Sequence, residues 1–345
     1  MPHLIFIPTT HAADTSADIG RQTTLVLATL DERLRSHRSS IADSVVITVY
    51  LRDAADFAAM NEAYRQAWTG APPTRTTVVT DLLTAGARVE MSAIAVPSGA
   101  DRRVVHPQSW MASPNPYSYA IRAGDTLFLS GLIARNGKNN SPVPGNVAVQ
   151  TRTVMDNARE ILEAAGLSLA HLVSGRAFLP NLDDFAEFNR VYREYVGADR
   201  PARATVGARL TGPAYNVEVT FVASAAPRQA IETSAQPNPN LSAAVKAGPS
   251  LFVSGLLADA EVLTRDPAAQ TRDIIRKLGA VLQKAEFTPR DVRDLLVYVT
   301  DDDAGKTSIE ACHEAFATAP SISPVAARLA AEGARVEIMA YAERE

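Results

Sequence analysis

The 345-residue sequence contains a single cysteine and two tryptophans, and it lacks an excess of basic residues. One cysteine cannot form an intrachain disulfide, which excludes the framework of a small disulfide-rich secreted domain. Lys and Arg number 34 against 38 Asp and Glu, and the formal net charge is −4. Because nucleic-acid binders usually carry a basic stripe, and none is visible here, we expect no nucleic-acid partner.

Long apolar runs are also lacking. The N-terminal segment MPHLIFIPTT has an apolar run of about four residues and no basic flank, which is too short for a signal peptide or a membrane span and is typical of a strand. We therefore expect a cytoplasmic protein without a membrane partner. The six histidines are scattered, and no pair has metal-ligand spacing on one element, so we expect no metal.

The sequence does contain an internal repeat, in which the same order of predicted strands and helices occurs three times. In the second copy, segment 117–131 predicts two strands joined by a turn, and 147–166 predicts a helix because its apolar residues follow helical spacing. Segment 171–181 predicts a strand, 183–196 a second helix, and 201–223 two closing strands. Repeated order at a fixed period indicates repeated structural units.

The third copy repeats this order, and the first copy repeats it without its opening strand. Helices are predicted at 18–34, 56–68, 268–285 and 309–316, and strands at 3–10, 44–52, 87–96, 245–255, 292–301 and 334–342. Cys312 falls on the apolar face of the helix predicted at 309–316, so we interpret it as a core residue and not as a nucleophile.

Polar residues recur at matched positions. A glutamine lies in the first helix of each copy, as Gln22, Gln150 and Gln270. A glutamate lies in each last strand, as Glu90, Glu218 and Glu337. Arg75 and Arg203 each precede their glutamate by fifteen residues, whereas Ile322 occupies that position in the third copy. Each unit therefore reads β-β-α-β-α-β-β, a mixed sheet with two helices on one face.

The free face of each such sheet must pack against something, and two sister sheets are present in the same chain. We predict a closed three-fold arrangement within one chain. The domains are predicted at 1–97, 114–226 and 238–345, with polar, proline-bearing linkers at 98–113 and 227–237.

The second copy resembles the RidA (YjgF) family of small imine and enamine deaminases. The motifs that carry the resemblance are LFLSG at 127–131, AVQTRTVMDNAREILEAAG, DDFAEFNRVY, PARATVG and NVEVTFVA. The first copy is similar but truncated, and the third is similar but more divergent. The resemblance implies an α+β fold of three tandem chorismate-mutase-like domains that form an intramolecular pseudo-trimer. It also implies ligand clefts between neighbouring domains and no cofactor.

The resemblance assigns roles to residues of the second copy. It implies that Arg203 holds the carboxylate of a small-molecule substrate and that Glu218 orients the attacking water. The pocket residues that it implies are Tyr117, Ser130, Gly131 and Asn189. A second candidate site in the first copy comprises Arg75, Glu90 and Asn61. The chemistry is reasonable, since a guanidinium pairs with a carboxylate through two hydrogen bonds and a carboxyl group transfers protons to and from water.

The expected function is therefore cofactor-independent hydrolysis of a small imine, enamine or related carboxylate. Two alternatives stay open: a pathway-specialised hydrolase or lyase of the chorismatase kind in a remodelled cleft, and a non-catalytic protein that binds small ligands. Loss of the arginine in the third copy favours the second alternative. A ribonuclease activity, with which some members of the family have been labelled, is disfavoured by the acidic charge. A higher homo-oligomer of the pseudo-trimer also stays open.

Overall fold

The computed structural model describes residues 3–344, which form three α+β units in tandem, as predicted. Met1 and Pro2 of the predicted first domain and Glu345 of the third lie outside the described residues. The first unit comprises β1 (Ile5–His11), α1 (Ile19–Ser36), β2 (Ser44–Leu51), α2 (Phe57–Gln66), β3 (Thr74–Val79) and β4 (Val89–Ala95). Strand β1 pairs with β4, so it takes the place of the second hairpin strand.

The second unit is the largest. It comprises β5 (Arg102–Val105), β6 (Ala120–Ala123), β7 (Thr126–Leu129), β8 (Leu132–Ile133), α3 (Val147–Ala164), β9 (Leu172–Leu179), α4 (Phe185–Val196), β10 (Ala202–Gly207), β11 (Arg209–Leu210) and β12 (Glu218–Ser224). As in the first unit, the two strands that flank the second helix are parallel and the others are antiparallel.

The third unit follows the same plan. It comprises β13 (Arg228–Ile231), β14 (Ala244–Ala247), β15 (Ser250–Leu256), α5 (Pro267–Lys284), β16 (Val292–Val299), α6 (Asp302–Ala315), β17 (Ser321–Ala326), β18 (Arg328–Leu329) and β19 (Val336–Glu343). Cys312 is fully buried in its core, as expected.

Helix α6 begins at Asp302, seven residues before the predicted start at position 309. The run DDDAGKTS is polar and contains a glycine, which is why it does not look helical in the sequence. The Asp301 side chain accepts a hydrogen bond from the Ala304 N–H and caps the helix. Gly305 then lies against Leu83 of the first unit, where an added Cβ would be 3.3 Å from a leucine methyl group. A tertiary contact therefore supports a turn of helix that propensity alone disfavours.

The two segments predicted as linkers each contain a strand. Strand β5 pairs with β6 and strand β13 pairs with β14, both antiparallel. Each adds an edge strand to the sheet of the unit that follows it in the chain. Within the segments 98–113 and 227–237, which the sequence analysis assigns to linkers, Arg102–Val105 and Arg228–Ile231 are therefore strands.

Each sheet has its two helices on one face, and the three units meet on the opposite face. Each unit has an apolar core of its own, and a further core draws residues from all three, among them Tyr50, Phe178 and Tyr298. Short strands also cross between neighbouring units. Strand β11 of the second unit joins the sheet of the first, and strand β18 of the third unit joins the sheet of the second. The first and third units are joined by the Thr80 hydroxyl, which donates to the Ala326 carbonyl at 2.5 Å. In the described part of the chain, no helix has the length and apolarity to cross a bilayer.

Candidate active site

The strand order, which is the same in each unit, places Arg75 and Arg203 at boundaries between units. Arg75 lies in β3, and its N–H donates to the Ser130 hydroxyl at 2.9 Å. Its carbonyl accepts a hydrogen bond from the Gly131 N–H, also at 2.9 Å. Arg203 lies in β10 and donates its N–H to the Ser254 hydroxyl in the same way, at 2.8 Å. Each arginine therefore faces the Ser-Gly turn of the unit that follows it in the chain.

A cavity of about 170 Å³ lies at the boundary between the first and second units. It contains one arginine, Arg75, from the first unit and one glutamate, Glu218, from the second. The other lining residues are Phe57, Thr77, Asn115, Tyr117, Gly131, Ile133, Arg135, Thr211, Gly212 and Tyr215. A permanent positive charge and a carboxyl group thus line one small, partly apolar cavity.

The structure corrects the pairing of Arg203 with Glu218. Arg203 does not line the cavity that holds Glu218, and its nearest carboxyl influence is Glu337 of the third unit. Glu218 is instead under the influence of Arg75. The two residues of the second unit lie on strands that face different neighbours, so they belong to different boundaries.

Glu218 is held by the local fold. The side-chain oxygen of Gln150 accepts a hydrogen bond from the Asn216 N–H at 2.7 Å, two residues before Glu218, and its amide donates to the Ala214 carbonyl at 2.8 Å. The equivalent glutamines bind the N–H of Arg88 and of Arg335. The repeated, fully buried glutamine is thus a structural residue that fixes the entry into the strand of the glutamate.

The carboxylate of Glu218 lies against the backbone of Gly131. A Cβ atom added at Gly131 would be 1.9 Å from Glu218 Oε1. Because Gly131 does not have a positive φ, space and not backbone conformation requires the glycine here. Gly255 lies against Glu337 in the same way, with an added Cβ 1.8 Å from Oε1.

Burial controls the protonation of Glu218. Its side chain is only 5% exposed, and burial raises its pKa to about 8, although the Thr77 N–H, Arg75 and Arg176 act in the opposite direction. A carboxyl group with a pKa near neutrality can gain and lose a proton under working conditions. The same cause raises the pKa of Glu337 to about 8, where Arg203 opposes it.

Arg75 is held mainly by aromatic rings. Its guanidinium carbon lies 4.9 Å from the ring centre of Tyr64, 5.7 Å from that of Tyr117 and 5.8 Å from that of Phe57. Such contacts stabilise a buried cation without using its hydrogen-bond donors. Its Nη1 is buried and has no hydrogen-bond partner among the described residues. A bound carboxylate would supply the missing acceptor.

Arg135 and Tyr215 are among the lining residues of the cavity that were not predicted from the sequence. Arg135 donates from Nε to the Tyr215 hydroxyl at 2.7 Å, and together they form part of the wall. The first and third units have alanine, Ala87 and Ala334, at the position of Tyr215. This difference between the copies is the feature of the sequence from which Tyr215 could have been identified as a site residue.

Of the other residues predicted from the sequence, two line the cavity and the rest do not. Tyr117 and Gly131 line the cavity. Ser130 is fully buried and bonds backbone atoms only, the Arg75 N–H and the Ser118 carbonyl. Asn61 is buried and does not line the cavity, and its Oδ1 has no partner within residues 3–344. Asn189 belongs to the next boundary.

The boundary between the second and third units holds a related arrangement around Arg203. Arg203 is 1% exposed and donates from Nη2 to Asn189 Oδ1 at 2.5 Å, a bond that Asn61 does not make with Arg75. Leu241 stands at the position of Tyr117. Arg203 and Glu337 are therefore neighbours there, but without the tyrosine.

The boundary between the third and first units has lost the arginine. Ile322 occupies its position, and Thr9 stands where the other units have the glycine. The Glu90 carboxylate accepts a hydrogen bond from the Thr84 N–H at 3.2 Å, within its own unit. Since a Cβ at that glycine position would meet the carboxylate in the other two units, Thr9 is incompatible with the glutamate placement seen there.

Comparison with known proteins supports this division of the chain. A family model described as Endoribonuclease L-PSP matches three times, over residues 7–97, 108–225 and 232–344. A RutC family protein of Sulfurisphaera tokodaii is 46% identical over 91 residues, which are 26% of this chain and 73% of the relative. A 2-iminobutanoate/2-iminopropanoate deaminase of Bos taurus is 29% identical over 126 residues, 36% of this chain and 92% of the relative.

Single-domain solved structures are also similar to part of the chain. The YjgF gene product of E. coli is 30% identical, with a TM-score of 0.33, and the match covers 36% of this chain and 98% of that chain. Since the family model accounts for most of the sequence in three separate matches, the chain belongs to the Endoribonuclease L-PSP (RidA/YjgF) family and consists of three fused copies of its domain.

Proposed function

We propose that this protein hydrolyses small 2-imino carboxylates at the cavity between its first and second domains. The observation that carries the proposal is the presence of Arg75, Glu218 and Tyr117 in one cavity, at a boundary where two domains each contribute part of the set. Relatives are named as 2-iminobutanoate/2-iminopropanoate deaminases. The cavity of about 170 Å³ is on the scale that accommodates a molecule of benzene size, which suits a substrate of six or seven heavy atoms.

Arg75 would bind the substrate carboxylate. Its unpartnered Nη1 and the three aromatic rings around it leave a guanidinium that is positioned but not neutralised. A planar guanidinium holds a carboxylate through two parallel hydrogen bonds, which fixes the orientation of the neighbouring C=N bond. Orientation of this kind can contribute several kcal/mol to lowering the barrier.

Glu218 would carry the proton during hydrolysis. As a carboxylate it accepts a proton from water while the water oxygen forms a bond to the imine carbon and the C=N electron pair moves to nitrogen. The proton then passes to that nitrogen, which gives a carbinolamine with an NH2 group. The carboxylate next takes the hydroxyl proton and returns it to the NH2 group. As the C–N bond breaks, its electron pair leaves with ammonia, and the oxygen forms the carbonyl of a 2-oxo acid. A pKa of about 8 suits a group that must both take and return a proton near neutral pH.

The role of Tyr117 follows from its contacts. Its ring lies 5.7 Å from the Arg75 guanidinium and its side chain lines the cavity. We assign it to positioning the arginine and to closing the substrate cavity. At the boundary between the second and third domains, Leu241 replaces this tyrosine, and we propose that no turnover occurs there.

We also propose that the three fused domains correspond to a trimer of single-domain subunits. The common core of the three sheets and the exchange of β11 and β18 support this arrangement. Fusion allows each boundary to differ, which identical subunits cannot do. Association of several chains into a higher oligomer stays a prediction.

The proposal is tested with imines generated in solution by an amino-acid oxidase in the presence of semicarbazide. An active protein competes with semicarbazide, so less semicarbazone forms than in buffer. Glu218→Gln should abolish this effect, and Glu337→Gln, its counterpart at the next boundary, should not. If wild-type protein leaves semicarbazone formation unchanged with every imine but binds pyruvate in an Arg75-dependent manner, the non-catalytic alternative is correct.

A further inference from the structure

A second cavity lies on the axis where the three sheets meet, apart from the boundary cavity. Its volume is about 120 Å³, and all three domains line it. Three phenylalanines at equivalent strand positions, Phe6, Phe128 and Phe252, form part of its wall. Leu4 also lines it, and the neighbouring His3 is exposed, so this end of the cavity lies nearest to solvent.

Two oppositely charged side chains interrupt the apolar wall. Arg176 of the second domain and Asp294 of the third both line the cavity. The residues equivalent to Arg176 are Thr48 and Leu296, and those equivalent to Asp294 are Val46 and Ser174. A trimer of identical subunits would place three like charges at each level of the axis. One positive and one negative charge can occur here only because the three domains are fused.

The Arg176 guanidinium acts to lower the pKa of Asp294, but the two side chains form no direct ion pair in the described part of the chain. Arg176 donates one hydrogen bond, from Nη2 to Thr48 Oγ1 at 3.3 Å, and within residues 3–344 no salt bridge includes Arg176 or Asp294. Both side chains keep intermediate exposure although they lie deep in the protein, because they face the cavity. The buried side chains of Tyr50 and Tyr298 lie beside Arg176, and the guanidinium opposes the rise that burial causes in the pKa of each hydroxyl group.

We propose that the axial cavity binds a free α-amino acid with a short apolar side chain. Its carboxylate would pair with Arg176, its ammonium group with Asp294, and its side chain would lie among the phenylalanines. Two opposite charges that do not pair directly are costly in an apolar wall unless a partner of complementary charge is present. Burial also raises the pKa of Asp294 to about 6, and a bound ammonium group would favour its ionised form.

The size of the cavity limits the ligand. A closed cavity of 150 Å³ accepts benzene, so about 120 Å³ encloses about five heavy atoms. The remaining atoms of a short amino acid would extend towards the Leu4 end, which lies nearest to solvent. L-Valine, with eight heavy atoms, is the probe, and its binding is measured by titration calorimetry on the full-length protein. We expect saturable binding of one valine per chain. 3-Methylbutanoate lacks the ammonium group and 2-methylpropylamine lacks the carboxylate, and each should bind at least tenfold more weakly.

The variants take residues that the fold already accepts at equivalent positions. Arg176→Leu and Asp294→Ser introduce the residues of positions 296 and 174, and each should weaken valine binding at least tenfold. Ser174→Val introduces the residue of position 46, narrows the cavity without changing a charge, and should also weaken binding. Arg75→Met should leave valine binding unchanged.

Three results would overturn the inference: no saturable binding up to about 10 mM valine, equal affinity in Arg176→Leu and wild type, or loss of binding in Arg75→Met. The last result would assign the amino acid to the boundary cavity instead. Failure of the deaminase assay has no bearing on this outcome, because the two cavities share none of their lining residues.

Discussion

Arg75 of the first domain and Glu218 of the second line one cavity, although Arg75 lies 143 positions before Glu218 in the chain and in another domain. Arg203, which lies only fifteen positions before Glu218, faces Glu337 instead. The residues that carry the proposed reaction are therefore paired across domains and not within a copy. Four predictions follow from this geometry.

The arginine of the first domain, and not that of the second, should be required for turnover. Arg75→Met should lower kcat/KM for a 2-imino acid by about 10²–10³, because the carboxylate loses its bidentate partner. The matched variant Arg203→Met should keep kcat/KM within about threefold of wild type if it folds. Melting temperatures of both variants control for unfolding, and equal losses of activity in the two would contradict the assignment.

The pH dependence of kcat/KM should report Glu218. Burial raises its pKa to about 8, and the proposed step uses the carboxylate as a base. Below this pKa the group is protonated, so kcat/KM should rise with pH and level off above about 8. Steady-state rates from pH 6 to 9.5 test this, and any residual rate of Glu218→Gln should not rise with pH over this range. A profile that falls with rising pH through this range would assign Glu218 as the acid instead.

The glycine beside each glutamate offers a steric test. Gly131→Ala places a Cβ 1.9 Å from Glu218 Oε1 and must displace the carboxylate, which should reduce kcat by about 10²-fold. Gly255→Ala makes the same change beside Glu337, 1.8 Å from Oε1, and should leave kcat unchanged. Stopped assays of both proteins distinguish the sites. Retention of full activity by Gly131→Ala would show that the position of the carboxylate is not critical.

The buried carboxyl group of Glu337 should make the protein less stable as the pH rises. Burial raises its folded-state pKa from the usual 4.5 to about 8. The folded state therefore binds the proton more tightly, and stability present below pH 4.5 is lost progressively up to pH 8. Glu337→Gln removes this loss, so relative to wild type it should gain on the order of 3 kcal/mol between pH 5 and pH 9.

Urea unfolding at pH 5, 7 and 9 measures this difference in the free energy of unfolding. Glu310→Gln, on the exposed surface of α6, is the control and should show no such gain. A constant difference between Glu337→Gln and wild type across the three pH values would mean that the carboxyl group titrates normally in the folded state.

Much of the fold was predictable because it depends on local patterns. The apolar spacing of 147–166 predicted helix α3, and the loss of an opening strand in the first copy was visible directly. The errors arose where a neighbouring element decides the outcome. Segment 302–308 is helical because Asp301 caps it and Leu83 of another domain packs on Gly305. The strand at Arg102–Val105 forms because an edge of the next sheet is open to it.

The candidate site was predictable only in part. The residue types of the site could be identified from the sequence. The arginine, the glutamate, the tyrosine and the glycine occupy matched positions in the copies, where each is either kept or replaced. Arg135 and Tyr215 were missed because neither occurs in all copies, and only the folded chain brings them together. Ser130 was identified from its motif, but its hydroxyl bonds backbone atoms and does not line the cavity.

Residue identities and spacing were enough to show that three related α+β units follow one another and that only two of them have an arginine at the matched position. These properties can be recognised by comparing the three copies with one another. The tertiary structure alone decided which arginine meets which glutamate. Strands β3 and β10 present their arginines to the turn of the following domain, so contact across a boundary, and not distance along the chain, determines the pair.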